Sequence, residues 1–412
     1  MIAGEPYYSA PEAAAALGVS VPTLYAYVSR GLIRSQAGGP HDGARARRYH
    51  AEDVRRLQER KEQRRDPGRA AAEALHWGSP VLESSITLPA ANTFYYRGHD
   101  ALELARDRSV EEVAALIWVD DLGAASALFT APTAPLPPRC AAVARECAGL
   151  EAVERFAVIL PLVAADDPSA YDLRSVAVPH TGARILQLLT TIAVGEQPEA
   201  GGIAQALAYG WTPVDPRADR LFRAALVLCA DQELNVTSFA ARCVASAAAT
   251  PYAVVSAGLA ALGGAKHAGR GARIQALLRE VGSADRAGIV VAERLRRGEP
   301  IPGFGHPLFP EGDPRGKMLL ELTALTRPGC EAVARSLAVA AAAWELLHER
   351  PDVEFGLVTL AEALRLPPGG ANALFALSRT IGWIGHAMEE YQVDRMIRPR
   401  ARYVGARPTG ES

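Results

Sequence analysis

Cysteine is scarce in this 412-residue sequence, and the few cysteines form no pattern. Their number is odd and no two stand in a CxxC pair, which argues against a disulfide framework and against a zinc site. Unpaired thiols fit a reducing compartment, and no metal is predicted. The five are Cys140, Cys147, Cys229, Cys243 and Cys330.

Long apolar runs are also lacking. No uncharged apolar stretch reaches the roughly 18 residues that a membrane-spanning helix needs. The segment 1–9 is short and polar, and it lacks the basic-then-apolar pattern of a secretory signal. The sequence therefore predicts a soluble, cytoplasmic protein with no membrane partner.

Neither sign of charge dominates, since 44 Lys and Arg stand against 46 Asp and Glu. Residues 1–75 hold 12 basic and 9 acidic residues, a balance of +3, and the remaining 32 and 37 give −5. This tilt is mild, so charge alone does not establish nucleic-acid binding.

Aromatic residues make up only 6% of the chain, and alternating Val, Ile and Thr runs are few. Alanine is abundant, and apolar residues recur at helical spacing, which favours an all-α protein. The length allows two or three domains and a large core.

The first thirty residues carry two helix-start patterns. Ser9 and Glu12 have the spacing of a capping box, and Gly18 ends the helix that they open. Ser20 is a plausible N-cap for a second helix, which stops at Gly31. Two short helices joined by a Gly-containing turn predict a helix-turn-helix, whose second helix enters the DNA major groove.

The segment GLIRSQAGGPHDGARARRYHAEDVRRL, which follows these helices, resembles the wing and next helix of MerR-type winged domains. The resemblance implies binding to double-stranded DNA. The residues expected to face DNA are Thr23, Tyr25, Tyr27 and Arg30 in the second helix, with Arg45, Arg47 and Arg48 in the wing near phosphates. The alternative is a small helical domain for protein interaction or capping.

Three distant segments each place basic side chains among small residues: GFGHPLFPEGDPR, LFALSRTIGW and MIRPRARYVG. They contain His306, Arg315, Arg379 and Arg398. Guanidinium groups match carboxylates bidentately, so these segments predict a pocket for a small molecule with several negative charges. The alternative is that all three arginines make structural salt bridges.

The same segments resemble the signature motifs of citrate synthases. The resemblance implies an all-α body of two domains in an obligate homodimer, with Arg398 reaching the site of the neighbouring subunit. The predicted domains are a MerR-like helix-turn-helix at 1–58, a charged linker at 59–75 and the citrate-synthase-like body at 76–412. The body is expected to have a large domain at about 76–220 and 330–412 and a small one at about 221–329.

LCADQELNVTSF, from Leu228 to Phe239, parallels the family's HADHELNASTF. The family pattern implies that Gln232 and Asn235 bind substrate. Both family histidines are replaced, the first by Cys229 and the second by Gln232. Glutamine can donate a hydrogen bond but carries no positive charge, so substrate affinity or preference should shift.

ALGGAKHAGRGA, from Ala261 to Ala272, resembles the family's GPLHGGAN. By that resemblance His267 hydrogen-bonds the thioester carbonyl, and Lys266, Gly269 and Arg270 are candidates to bind CoA. A glycine lets the backbone approach the cofactor closely. Lys266 and Arg270 depart from the family motif; they either touch CoA phosphates or are simply solvated.

The remaining roles follow from the same resemblance. His306 is expected to donate to the keto oxygen, and Arg315, Arg379 and Arg398 to hold carboxylates. In PDVEFGLV, Glu354 stands where the family has an aspartate base. The extra methylene requires compensation, because a displacement of about 1 Å can cost about a hundredfold in rate. The altered Gly356 and Leu357 suggest local remodelling, and the alternative is an exposed Glu354 without a catalytic part.

The resemblance therefore implies an enzyme that condenses acetyl-CoA, or another short acyl-CoA, with oxaloacetate or a similar 2-oxo acid and releases CoA. Acetyl-CoA is then a co-substrate, and no permanently bound cofactor is expected. The rival is a transcriptional regulator whose body senses a carboxylate or CoA metabolite without turnover. A third hypothesis is an active enzyme whose N-terminal domain only mediates assembly.

Overall fold

A computed structural model describes residues 7–37, 47–55, 57–58, 82–90, 92–130, 136–195, 201–215, 217–267, 269–393, 395–401 and 403–406. The chain divides into two compact units, Met1–Glu83 and Ser84–Ser412. The linker predicted at 59–75 lies outside the described residues.

The first unit is a small helical domain with a three-stranded antiparallel sheet. Its elements are β1 (Tyr7–Tyr8), α1 (Ala10–Leu17), α2 (Val21–Ser29), β2 (Ser35–Ala37) and β3 (Arg47–His50), with 51–55 helical. The central strand β3 pairs with β1 and β2. The core comprises Ala13, Ala14, Leu17, Leu24, Ile33, Tyr49 and Val54.

The predicted capping box is present at the start of α1. Glu12 accepts the Ser9 N–H at 2.8 Å, and Ser9 Oγ accepts the Glu12 N–H at 3.4 Å. Gly18 ends the helix in the left-handed conformation, with φ of 57°. Ser20 stands at the N-cap of α2, but its hydroxyl bonds the Thr23 hydroxyl at 2.9 Å instead of a backbone N–H.

The second unit is almost entirely helical. A small antiparallel sheet opens it, formed by β4 (Thr87–Pro89), β5 (Phe94–Tyr96) and β6 (His99–Asp100). Its helices are α3 (Ala101–Asp107), α4 (Val110–Val119), α5 (Ala125–Leu128), α6 (Pro138–Glu146), α7 (Ala152–Ala164), α8 (Val178–Val194), α9 (Ile203–Trp211), α10 (Ala218–Leu228), α11 (Val236–Ala245), α12 (Pro251–Leu262), α13 (Gly269–Val281), α14 (Ala287–Arg296), α15 (Pro314–Thr326), α16 (Glu331–Leu347), α17 (Val353–Leu364) and α18 (Gly370–Tyr391). Short 3₁₀ turns lie at Leu122–Ala124, Pro168–Tyr171 and Ala284–Arg286.

Helix α18 is the centre of this unit. Its 22 residues are buried over almost the whole length, and helices α4, α7, α8, α10, α11, α12 and α17 pack around it. A helix that is apolar on all sides belongs in a core. Among the described residues, no helix is long and apolar enough to cross a membrane.

Replacing Gly258 with alanine tests the packing of α12 on α18. A Cβ at this position would lie 2.5 Å from two ring atoms of Trp383, so the helix or the indole would have to move. We expect Gly258→Ala to lower the free energy of unfolding by about 1–3 kcal/mol, the usual cost of overpacking a core. Chemical denaturation measures the change.

Gly288→Ala is the matched control, because this helical glycine is exposed and nothing lies within 4 Å of the added carbon. Alanine there should raise the free energy of unfolding by up to roughly 1 kcal/mol, since it loses less conformational entropy in a helix. Equal effects of the two changes would contradict the packing described.

Candidate functional site

Helix α15 begins with a buried ion pair. Arg315 Nε and Nη2 donate to the Asp313 carboxylate at 2.9 and 2.8 Å. Asp313 caps the helix by accepting the Arg315 N–H, and it also accepts the Val353 N–H at 3.0 Å. Burial alone lowers the pKa of Arg315, but the Asp313 carboxylate outweighs burial and raises it. The pair is therefore charged, and it ties the starts of α15 and α17 together.

Gln232 connects this ion pair to His306. Arg315 Nη1 donates to Gln232 Oε1 at 2.7 Å, and Gln232 Nε2 lies 2.9 Å from His306 Nε2. Because the guanidinium can only donate, the amide oxygen faces Arg315 and the amide nitrogen faces the imidazole. Gln232 was expected to bond the substrate; in the structure its amide joins two other predicted site residues.

Two N–H donors face the His306 ring. Besides the Gln232 amide, the Leu308 N–H points at Nδ1 from 3.2 Å. A neutral imidazole has one acceptor nitrogen and an imidazolium has none, so this setting opposes protonation. Burial and then repulsion from Arg315 lower the pKa of His306 to about 4. His306 is therefore neutral at pH 7.

Arg379 is fully buried in the middle of α18. None of the described residues accepts from its Nε, Nη1 or Nη2. Nη1 lies 3.9 Å from Asp231 Oδ1, and Cζ lies 4.8 Å from the centre of the Phe375 ring. Asp231 is already engaged by Thr87 at 2.6 Å and by His386 at 3.1 Å. A buried fork of this kind is typical of a site for a planar anion such as a carboxylate.

His267 lies close to Arg379, on the same aromatic ring. Its imidazole contacts Phe375 edge-on, with 5.3 Å between ring centres. Burial, followed by the positive charges of Arg379 and Arg270, lowers the pKa of His267 to about 4. A neutral imidazole here can donate one hydrogen bond to a carbonyl oxygen without a net charge.

Glu354 shares a cleft with His267. It lies in the first turn of α17 with its side chain 18% exposed. Burial raises the pKa of Glu354 to about 7, although Arg270 opposes this rise. The cleft is lined by Leu262, His267, Gly271, Glu354, Leu357, Val358, Ala371, Asn372 and Phe375. A carboxylate whose pKa lies near 7 and which borders an apolar cleft is suited to proton abstraction.

The other candidates of the body are placed differently. Asn235 is the N-cap of α11, where Oδ1 accepts the N–H groups of Thr237 and Ser238 at 3.0 Å each. Lys266 is exposed, and Gly269 begins α13. Arg398 is exposed in 395–401.

Arg270 is paired with carboxylates inside the protein. Its guanidinium bridges Asp352 and Glu354, and its side chain is 39% exposed, so the expected contact with CoA stays a prediction. Asp352 and Asp313 were not predicted as site residues. The sequence did contain a signal for both. Asp352 stands two positions before Glu354 and Asp313 two positions before Arg315, each at the start of a helix.

The helix residues predicted to face DNA do not all lie on one side of α2. Arg30 and Tyr25 are exposed, Tyr25 by 53%. Thr23 is half-buried, and Tyr27 is half-buried and packs against the small core. Residues two apart on a helix point in nearly opposite directions, so the whole set cannot share one face. Tyr27 therefore contributes to the core of this unit.

The wing arginines are described in part. Arg47 is exposed on β3 and donates to Ser35 Oγ at 3.2 Å, and Arg48 is half-buried near Glu12. Arg45 lies outside the described residues.

An all-α body with two fully buried arginines and two neutral histidines is a framework for holding a small anion. Residues 74–400 match the family model "Citrate synthase, C-terminal domain", and residues 7–62 match the model "Helix-turn-helix domain". The first match spans most of the sequence, so the chain belongs to the citrate synthase family. The predicted family and the predicted helix-turn-helix are confirmed.

Citrate synthase 2 of Bacillus subtilis is 28% identical to this chain over 371 residues, which cover 80% of this chain and 94% of that protein. The 2-methylcitrate synthase of Mycobacterium tuberculosis is 26% identical over 358 residues, covering 78% of this chain and 87% of that protein. A citrate synthase of Thermoplasma acidophilum, solved in ternary complex with carboxymethyl coenzyme A and oxaloacetate, has a TM-score of 0.70 at 20% identity. The match covers 83% of this chain and 98% of the Thermoplasma chain. It confirms the all-α fold.

Methionine should affect stability in opposite directions at the two buried arginines. Arg379→Met removes a guanidinium that makes no hydrogen bond with the described residues. We expect the free energy of unfolding of the ligand-free protein to rise by about 1–3 kcal/mol, the penalty of an unsatisfied buried polar group. Arg315→Met leaves Asp313 buried and unpaired and should lower that free energy by about 3–5 kcal/mol.

Chemical denaturation of both variants beside the wild type measures the two changes. A loss of stability with Arg379→Met as large as with Arg315→Met would contradict the description of Arg379 as a guanidinium held ready for a ligand.

Proposed function

We propose that this protein condenses a short acyl-CoA, acetyl-CoA in the first instance, with oxaloacetate or a similar 2-oxo acid. The observation that carries the proposal is the buried Arg379 fork, which makes no hydrogen bond with the described residues and lies on the same ring as His267. A carboxylate bound there would bring a 2-oxo acid beside the cleft that holds the candidate base.

The proposed reaction begins at the acyl group. Glu354 takes a proton from the carbon next to the thioester carbonyl, and neutral His267 donates a hydrogen bond to the carbonyl oxygen as it gains negative charge. That carbon then attacks the keto carbon of the 2-oxo acid. Water finally cleaves the thioester, with release of CoA and a new carboxylate.

The His306 and Gln232 pair is assigned to the keto oxygen. Their facing nitrogens are 2.9 Å apart. When the new carbon–carbon bond forms, the keto oxygen receives the electron pair of the carbonyl bond, accepts a hydrogen bond from the Gln232 amide and takes a proton from His306. Arg315 and Arg379 hold substrate carboxylates. Arg398 is assigned to the site of a neighbouring subunit in a homodimer, which matches its exposed position in the single chain.

Release of free thiol from acetyl-CoA or propionyl-CoA, with oxaloacetate or pyruvate as acceptor, tests this function. Glu354→Gln should lower kcat by at least about 100-fold, because general-base catalysis contributes 10²–10⁴. The base must be ionised, and burial raises the pKa of Glu354 to about 7. The rate should therefore fall as pH decreases through 7.

Glu233→Gln is the control, because Glu233 is a part-buried carboxylate beside Gln232 that the reaction does not use. The proposal is wrong if the wild type releases no thiol with any short acyl-CoA and 2-oxo acid, or if Glu354→Gln retains full activity.

A second function is proposed for the first unit, namely binding to double-stranded DNA in the manner of MerR-type domains. Arg30 and Arg47 are exposed, and the residues match a helix-turn-helix domain. In the rival function the body senses a carboxylate or CoA metabolite and the first unit acts on a promoter.

Gel shift of the full-length protein with DNA from upstream of its own gene tests this function. Arg47→Ala/Arg48→Ala should weaken binding and reduce its salt dependence, because phosphate contacts release counterions. Arg279→Ala, which changes an exposed arginine of the body, is the control. No shift at low salt, or an equal shift with the double variant, would exclude this DNA-binding surface.

A further inference from the structure

We propose that Arg270 is a positioning residue that holds the carboxylate of Glu354 at the acyl cleft, by an ion pair anchored on Asp352. The inference rests on the proposed function, in which Glu354 is the base. It gives Arg270 a part in the reaction that differs from contact with CoA.

The geometry places one cation between two carboxylates. Arg270 Nη2 lies 2.5 Å from Asp352 Oδ2, and Arg270 Nε lies 3.1 Å from Glu354 Oε2. Arg270 comes from the first turn of α13, and both carboxylates come from the start of α17. A single guanidinium therefore joins two helix starts at the edge of the cleft.

One side of this bridge is rigid. Asp352 is the N-cap of α17, where Oδ1 accepts the Phe355 N–H at 3.0 Å, and its side chain is 2% exposed. The other side is adjustable, because Glu354 Oε2 makes no hydrogen bond with the described residues and meets Arg270 only as an ion pair. Arg270 is thus fixed on Asp352 and in turn limits where the Glu354 carboxylate can lie.

A glutamate at this position needs such a partner. Its longer side chain has about 1.5–2 kcal/mol of rotamer freedom to lose when it is held in one place. Two buried carboxylates close together also repel, and one of them takes up a proton unless a cation lies between them. Arg270 meets both needs, since it is the residue that contacts Asp352 and Glu354 together.

Several other charged or titratable groups face Glu354. Asp352 stands on the same helix, Arg273 on α13 and Arg315 on α15, while His267 lines the same cleft and the Cys229 thiol lies nearby. Arg273 is exposed and donates to the Ala265 carbonyl at 3.2 Å. Arg315 is already bonded to Asp313 and Gln232. Neither can replace Arg270 in the bridge.

Comparison of Arg270→Met with Arg270→Lys tests the proposal through the pH profile of kcat. In Arg270→Met we expect the acidic limb of the kcat profile to move to higher pH by about one unit or more. Removal of an opposite charge at this distance raises the pKa of a carboxylate by that much. kcat at pH 7 should fall about fivefold or more, because the ionised fraction of a carboxylate with a pKa of about 7 falls by that much when its pKa rises by one unit. Arg270→Lys should recover part of the shift, because it restores the charge without the planar fork.

Arg273→Met is the matched control, a neighbouring arginine on the same helix, and it should leave the limb in place. If Arg270→Met raises only KM for the acyl-CoA, with the kcat profile unchanged, Arg270 binds CoA and the proposal is wrong. An equal shift in Arg273→Met would also overturn it.

A measurement that needs no turnover keeps this test separate from that of the proposed function. NMR titration of protein with ¹³C-labelled glutamate carboxyls follows Glu354 directly, with Glu354→Gln identifying its signal. The midpoint should rise in Arg270→Met even if the wild type condenses no acyl-CoA. An unchanged midpoint in a folded Arg270→Met protein would refute the bridge, whereas absent turnover alone would refute only the proposed function.

Discussion

The buried Asp313–Arg315 ion pair is the interaction on which the site depends. Asp313 holds the first N–H of α17, the helix that carries Glu354, and Arg315 holds the Gln232 amide, which faces His306. Removing one partner of such a pair leaves a buried charge uncompensated, which costs about 3–5 kcal/mol. The positions of Glu354 and His306 therefore depend on one carboxylate, that of Asp313.

The second arginine lies between an aromatic ring and a carboxylate. Arg379 lies on the central helix α18, between the Phe375 ring and an Asp231 carboxylate that Thr87 and His386 already engage. Keeping a guanidinium there with no hydrogen bond to the described residues opposes folding, and the apolar surface that α18 buries offsets this cost. Functional sites commonly break a local rule of stability in this way.

Features that depend on local sequence patterns could be predicted. Helical spacing and capping signals identified the all-α class and the Ser9–Glu12 box, and the resemblance drew attention to Arg315, Arg379, His267, His306 and Glu354. The partners of these residues were not predictable, because they come from distant segments. Gln232 and His306 are 74 positions apart, and Arg270 and Asp352 are 82 apart. Periodicity carries no information about such pairs, so the ion pairs of Arg270 with Asp352 and Glu354 could not be predicted.

The backbone that carries Glu354 depends on two glycines. Gly316 lets α15 approach the start of α17, since a Cβ there would lie 2.3 Å from the Asp352 carbonyl oxygen. A Cβ added at Gly356 would lie 3.0 Å from Leu319 Cβ, closer than almost all real Cβ contacts. The two glycines allow α17 to sit unusually near α15, and that contact fixes the backbone. With the backbone held in this way, the Glu354 carboxylate reaches Arg270, whose Nε lies 3.1 Å from Oε2.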